Sequence, residues 1–228
     1  MKALDLGSKN VFSTVLKLTL PAMLAQFINV LYSVVDRMYV GNIQDIGGTV
    51  LAGVGVCAPI STLTTSFASL IGLGGAPLFA MSLGEGREDN SKRILSNAFV
   101  SLIALSVLVS ILMLSLRRPM LMTFGASEDT YVYAERYLIV CAAGAIFPIL
   151  ATGLNQFIVA QGYSGIGMAT TAIGAAANIA LDPLFIFVFG LDAMGAAIAT
   201  VISQFLSFAF VIVFLRMKKR NWSWRSTT

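Results

Sequence analysis

The stretch ILSNAFVSLIALSVLVSILMLSL, residues Ile94–Leu116, contains no Asp, Glu, Lys or Arg. A helix needs about 20 apolar residues to cross the hydrocarbon core of a bilayer, and this run is long enough to do so. The whole chain has the same character, because 57% of its 228 residues are hydrophobic, only 11% are charged, and its mean hydropathy is +0.84. The sequence therefore predicts a membrane protein rather than a water-soluble domain.

Similar apolar runs recur along the chain, separated by short polar breaks. We predict an all-α fold, a polytopic six-helix transmembrane bundle that forms a single lobe over residues 1–228. The predicted spans are about Val15–Val40, Val50–Leu83, Ile94–Leu116, Tyr131–Ala160, Ala169–Phe189 and Met194–Leu215. The second and fourth runs are longer than the bilayer is thick, so they must tilt, bend or project into water. Pro59, Pro77 and Pro148 offer places to bend.

The positive charges predict the orientation of the bundle. If the N-terminus is cytoplasmic, the inner segments carry Lys2, Lys9, Lys17, Arg87, Lys92, Arg93, Arg216, Lys218, Lys219, Arg220 and Arg225. The outer ends then hold only Arg37, Arg117, Arg118 and Arg136. This bias favours a multi-pass protein of the inner (plasma) membrane with both termini in the cytoplasm. Because the basic residues flank apolar spans, they predict contact with membrane lipid and give no support for nucleic-acid binding.

Histidine is absent, and the two cysteines, Cys57 and Cys141, lie within apolar runs. The absence of histidine removes the commonest general base and the commonest zinc ligand. We therefore predict that the protein is not an enzyme, has no catalytic residues, and uses neither a cofactor nor a disulfide framework. The N-terminal segment has no A-x-A cleavage site, so we expect the first helix to be retained.

Two acidic residues, Asp36 and Asp182, are embedded in apolar spans. An ionised carboxylate costs roughly 2.5–3.5 kcal/mol at mid-membrane on insertion scales, which makes both functional candidates. At about 1.5 Å per residue, Asp182 lies roughly 4–5 Å and Asp36 roughly 12 Å from mid-membrane. With the N-terminus in the cytoplasm, both residues lie in the outer half of the bilayer. Thr200 on the last span also lies in the outer half, roughly 6 Å from mid-membrane.

Local spacing groups further polar residues with these acids. Asn178 and Asp182 share one helix face, and Thr200 begins a stripe that continues through Ser203, Gln204 and Ser207. Pro183 cannot donate to the carbonyl of Ile179 and frees that oxygen. Such hard oxygen ligands suit Na⁺, and two carboxyl groups in one low-dielectric pocket suit a proton equally well. The structural alternative is that Asn178 and Asp182 tie helices together while Asp36 pairs with Arg37.

Several motifs in register resemble the multidrug and toxic compound extrusion (MATE) transporters, in their prokaryotic branch. They are Leu20-Pro21 followed by VVDRMYVG around Asp36, GLGGAP at Gly72–Pro77, NIALDPLFIF at Asn178–Phe187, and GAAIATVISQ at Gly195–Gln204. The resemblance extends from about Val11 to Arg220. A member of this family has twelve spans in two lobes, so the six-helix chain resembles the N-terminal lobe alone. That leaves a truncated form, a fragmentary gene, or a half-transporter that pairs with a second lobe.

The resemblance implies functions for individual residues. Asp36, Asn178, Asp182 and Thr200 match the site that is linked to H⁺ or Na⁺, and Pro21 matches a proline where the first helix bends. Pro183 is a second predicted helix-bend position, because proline geometry disturbs the helix there. The implied activity is export of amphipathic or cationic drugs by antiport and alternating access. Asn155 and Gln156 in the fourth span, together with Gln204, could line the substrate path or only bond helix to helix. The alternatives are a flippase for lipid-linked oligosaccharides, which would need a more basic cavity, and a nonfunctional fragment.

Overall fold

The computed structural model describes the backbone of residues 11–223 and the side chains of residues 12 and 15–217. The helices are α1 (Val11–Gly41), α2 (Gly47–Gly84), α3 (Glu88–Ser115), α4 (Arg117–Thr123), α5 (Glu128–Ala143), α6 (Ile146–Ala160), α7 (Ser164–Pro183) and α8 (Asp192–Ser223). A π-helical turn, Leu184–Val188, follows α7 directly. Within the described range there are no strands, so the all-α prediction is confirmed. The basic residues Lys2, Lys9 and Arg225 lie outside the described residues, and the side chains of Lys218, Lys219 and Arg220 lie outside the described side chains.

Among the residues that the structure describes, five helices are long and apolar enough to cross a membrane, and a bent helix pair, counted as one span, raises the number to six. The pair is α5 and α6, which meet at an angle of 55°. The predicted span Tyr131–Ala160 is therefore two helices, and the break falls at Gly144 and Ala145 rather than at Pro148. Pro148 lies in the first turn of α6. Backbone N–H groups in a first turn have no acceptor within the helix, so the lack of an N–H at Pro148 breaks no helical hydrogen bond. In contrast, α2 continues without interruption through Pro59 and Pro77.

The centre of the bundle is α6. It supplies five of the largest fully buried side chains, Ile149, Leu150, Leu154, Phe157 and Ile158, all of them at most 2% exposed. The helix packs against α2, α3, α7 and α8. None of the residues of α6 is exposed, as expected of a helix that is surrounded by other helices.

Large apolar side chains cover the outside of the bundle. Examples are Phe27 at 66%, Leu70 at 71% and Val100 at 64% exposure. A surface of this kind is unfavourable in water and favourable against lipid chains. The chain is accordingly a membrane protein, with its outer face turned to lipid or to further helices.

Candidate functional site

Asn178 and Asp182 lie one turn apart on α7, and both are buried in the middle of the bundle, at 2% and 0% exposure. The amide nitrogen Nδ2 of Asn178 donates a hydrogen bond to Oδ1 of Asp182 at 3.0 Å. Immediately after Asp182, Pro183 ends the α-helical part of α7, and the backbone continues as the π-helical turn. A helix that changes pitch beside a buried carboxyl is typical of functional sites in membrane helices.

Thr200 joins this pair from α8. Its Oγ1 accepts a second hydrogen bond from Asn178 Nδ2 at 3.5 Å. The amide nitrogen carries two hydrogens, so Asn178 can serve Asp182 and Thr200 at the same time. The contact brings together the polar stripes that the sequence places on α7 and α8.

The rest of the stripe on α8 has other partners. Ser203 donates to the carbonyl of Ala199 in its own helix at 2.7 Å. Ser207 donates to the carbonyl of Thr170 on α7 at 3.0 Å and so ties the two helices together away from Asp182. Only Thr200 of this stripe bonds to the group around Asp182 among the described contacts.

Asp36 reaches the same place from α1, which packs mainly along α7. The carboxyl groups of Asp36 and Asp182 are close enough to interact electrostatically. Two ionised carboxylates repel each other, so a neighbouring pair is stabilised when one is protonated or a cation lies between them. We call Asp36, Asn178, Asp182 and Thr200 the carboxylate site.

Three buried oxygens of the carboxylate site have no hydrogen-bond donor among the described residues: Asp36 Oδ1, Asn178 Oδ1 and Asp182 Oδ2. An unpaired buried oxygen is costly, and such atoms in a folded protein call for a specific explanation. Oxygen atoms from carboxylates and an amide are suitable ligands for a hard cation, and the carboxyl pair is equally able to hold a proton. The donor set therefore fits either H⁺ or Na⁺.

The ion pairs of the described residues lie elsewhere. They are Arg87 with Glu85, Lys92 with Glu88 and Asp89, and Arg117 with Glu135, all with exposed or half-exposed side chains. Neither Asp36 nor Asp182 takes part in them. Among the described contacts, Arg37 acts on Asp36 electrostatically without forming an ion pair with it, so the alternative in which Asp36 pairs with Arg37 stays open.

A cavity of about 150 Å³ adjoins the carboxylate site between α1, α2, α5 and α8. Asp36 and Thr200 both line it, and so do two tyrosines that sequence reasoning missed, Tyr32 and Tyr137. Tyr32 interacts electrostatically with both Asp36 and Asp182. Tyr32 could have been predicted from the sequence, because it lies one helical turn before Asp36 on the same helix. Tyr137 could not, because only the packing of α5 brings it to the cavity. We refer to this space as the α1–α2 cavity.

The residues predicted to line a substrate path lie apart from this cavity. Asn155 donates from Nδ2 to the carbonyl of Gly167 at 3.3 Å, while its Oδ1 is buried without a described donor. Gln156 packs its side chain against Gly72 of α2. Gln204 is half-buried on α8. The contact of Asn155 is helix to helix, and the substrate-lining role of all three stays a prediction.

Pro21 lies inside α1, which runs as one helix from Val11 to Gly41. Because proline has no backbone N–H, Pro21 removes one hydrogen bond of α1 and weakens the helix at that position. The predicted bending of α1 at Pro21 during transport stays a prediction.

Fold and site together define a polytopic α-helical membrane protein in which a fully buried carboxyl group, Asp182, lies next to a half-buried one, Asp36, between α7 and α1. A family model for MatE matches residues 21–184, and the chain belongs to the MatE family. The resemblance found in the sequence motifs is thus confirmed.

Individual relatives agree with this assignment. The chain is 28% identical over 204 residues to the multidrug export protein MepA of Staphylococcus aureus strain MSSA476, a match that covers 90% of this chain and 45% of MepA. It is 26% identical over 214 residues to MepA of Staphylococcus haemolyticus, covering 94% of this chain and 47% of that protein. The chain therefore spans about half the length of the curated relatives it matches.

Solved structures also match nearly all of this chain over about half of their own length. The chain superposes with a TM-score of 0.83 and 25% identity on a MATE protein in the bent conformation, covering 90% of this chain and 45% of the other. For a multidrug resistance MATE family transporter of the MOP superfamily in an outward-facing conformation, the TM-score is 0.82 at 25% identity, with 90% and 45% covered.

Proposed function

We propose that the chain is the N-terminal lobe of a multidrug exporter that exchanges amphipathic or cationic drugs for H⁺ or Na⁺ by alternating access. The observation that carries the proposal is the carboxylate site, in which acids from α1 and α7 meet inside an apolar bundle. One oxygen of each acid and the amide oxygen of Asn178 have no donor among the described residues. The names of the MepA relatives describe multidrug export. A second six-helix lobe would complete the transporter, since the chain matches about half of each relative.

The proposed mechanism uses the pair as an exchangeable ion site. When a proton or Na⁺ is bound between Asp36 and Asp182, the repulsion between the two carboxylates is removed and α1 packs closely on α7. When the ion leaves, the repulsion returns and favours a different arrangement of α1. Ion binding shifts the equilibrium between the two arrangements of α1 only if the ion binds one of them more tightly than the other. The mechanism therefore requires that the ion prefers one arrangement.

The flippase alternative has no specific observation in its favour. The described lining of the α1–α2 cavity contains a single basic residue, Arg37, next to the acidic Asp36. A site for an anionic lipid-linked precursor would need an excess of positive charge.

The first test measures ion binding to the purified chain in lipid nanodiscs. We expect ²²Na⁺ binding, or proton release on raising the pH, that is lost in Asp182→Asn and Asp36→Asn, because each change removes a titratable charge and keeps the size. Asp45→Asn is the matched control, since Asp45 is an exposed acid in the α1–α2 connection and its backbone φ of 63° is one that Asn tolerates. Ion binding or proton release unchanged in both site variants would overturn the proposed site.

The second test measures export in the native genetic context, which supplies any further part of the transporter. Asp182→Asn, introduced into the chromosomal gene, should reduce ion-driven efflux of ethidium to background, whereas Asp45→Asn should keep it. Efflux at the parental rate in the Asp182→Asn strain would contradict coupled export through this residue.

A further inference from the structure

The π-helical turn Leu184–Val188 continues α7 directly beyond Asp182 and Pro183. The backbone N–H of Phe189 donates to the carbonyl of Leu184, five residues earlier, at 3.0 Å, which is the π-helical pattern. Turns of this kind are rare and frequently lie at functional sites. The contacts of this turn therefore bear on how Asp182 is held.

Helix α8 touches the π-helical turn at Gly195. A Cβ at this position would lie 2.6 Å from the carbonyl oxygen of Phe185, 2.8 Å from its carbonyl carbon and 3.1 Å from the backbone nitrogen of Ile186. All three are backbone atoms, so no rotation of a side chain could make room for the added group. The backbone N–H of Leu191 also donates to the Phe185 carbonyl at 3.2 Å. Any residue larger than glycine at position 195 would therefore force α8 away from the turn.

Helix α1 touches the same turn through an aromatic pair. The rings of Tyr39 and Phe187 meet edge to face, with their centroids 6.2 Å apart and their planes at 78°. This is a favourable geometry for two aromatic rings. Tyr39 follows Asp36 by one helical turn on α1. The π-helical turn thus contacts both of the other helices that supply the carboxylate site.

The hydrogen bond between α7 and α8 within the carboxylate site is sensitive to the spacing of these helices. Thr200 lies five residues after Gly195 on α8, about 7.5 Å along the helix axis. Its contact with Asn178 Nδ2, at 3.5 Å, is at the upper end of the range for a hydrogen bond. A displacement of α8 by a few tenths of an ångström is enough to break this bond. Asn178 would then no longer tie α8 to Asp182.

We propose that the π-helical turn sets the spacing of α1 and α8 around Asp182, with Gly195 and Phe187 as positioning residues for ion binding. The inference rests on the proposed function, because it names residues that fix the geometry of the same ion site. Neither residue belongs to the carboxylate site. Gly195 acts by letting α8 approach the turn, and Phe187 acts by holding the end of α1 against it.

The first test compares two glycines that are equally crowded by backbone atoms. Gly195→Ala should displace α8 and weaken ion binding by about tenfold, as expected for the loss of one hydrogen bond of the site. The matched control is Gly72→Ala, since a Cβ at Gly72 would lie 2.8 Å from the carbonyl oxygen of Gly153 in the contact between α2 and α6. Both variants should melt at a lower temperature than the parent chain, whereas only Gly195→Ala should lose ion affinity.

The second test compares two phenylalanines of equal exposure. Phe187→Ala removes the ring contact with Tyr39 and should weaken ion binding by about threefold, because an aromatic pair contributes less than a hydrogen bond to a charged group. Phe67→Ala is the matched control, since Phe67 is 48% exposed where Phe187 is 47% exposed. Among the described ring contacts, none involves Phe67. The Phe67→Ala chain should bind the ion as tightly as the parent.

Affinity is measured on the purified chain in lipid nanodiscs, from titrations of ²²Na⁺ binding or from the pH dependence of proton release, with melting temperatures taken in parallel. Parental affinity in Gly195→Ala, or a loss no larger than in Gly72→Ala, would overturn the proposal. Equal affinities of Phe187→Ala and Phe67→Ala would overturn it as well, and this comparison decides the matter if Gly195→Ala does not fold. These outcomes differ from ion binding that persists in both Asp182→Asn and Asp36→Asn, which counts against the proposed function itself.

Discussion

At the scale of single residues, Asn178 links two helices of the carboxylate site. Its amide nitrogen donates hydrogen bonds to Asp182 on α7 and to Thr200 on α8. In Asn178→Leu, which keeps the approximate size, Asp182 loses its described donor. Hydrogen bonds to charged groups contribute about 1.5–3 kcal/mol, so the melting temperature of the purified chain should fall clearly. Ser203→Ala is the control, since that hydroxyl bonds only to Ala199 of its own helix. Equal melting temperatures for the two variants would contradict the linking role of Asn178.

At the scale of elements, the contact between α2 and α6 depends on Gly72. A Cβ at this position would lie 2.8 Å from the carbonyl oxygen of Gly153 and 2.8 Å from Cγ of Gln156. The backbone oxygen cannot move aside, so Gly72→Val must push α2 away from the central helix. Overpacking of this kind typically costs about 1–3 kcal/mol, and we expect a lower melting temperature than for Gly74→Val on the open side of the same helix. A Gly72→Val chain as stable as the Gly74→Val chain would show that the helices separate freely.

At the scale of the whole molecule, the bent pair α5 and α6 decides the topology. Counted as one span, the pair brings the number of spans to six, and an even number places both termini on one side. We expect green fluorescent protein to be fluorescent, and alkaline phosphatase to be inactive, when fused at either Met1 or Thr228, as the excess of basic residues in the inner segments also predicts. Fusions that report opposite sides for the two termini would require the pair to be re-entrant.

The sequence by itself determined the class of protein, the approximate spans and most of the residues gathered at the carboxylate site. A membrane span is a local property of about 20 residues, and a carboxylate inside one is conspicuous because burial in lipid is costly. The family resemblance supplied the register that groups Asp36 with Asp182. Their contact, the bend between α5 and α6, the arrival of Tyr137 from α5 and the α1–α2 cavity were decided only by the tertiary structure. Each of these depends on which helices pack against each other. In lipid, helices associate through close packing and polar contacts, and the pattern of apolar residues along the sequence does not specify these contacts.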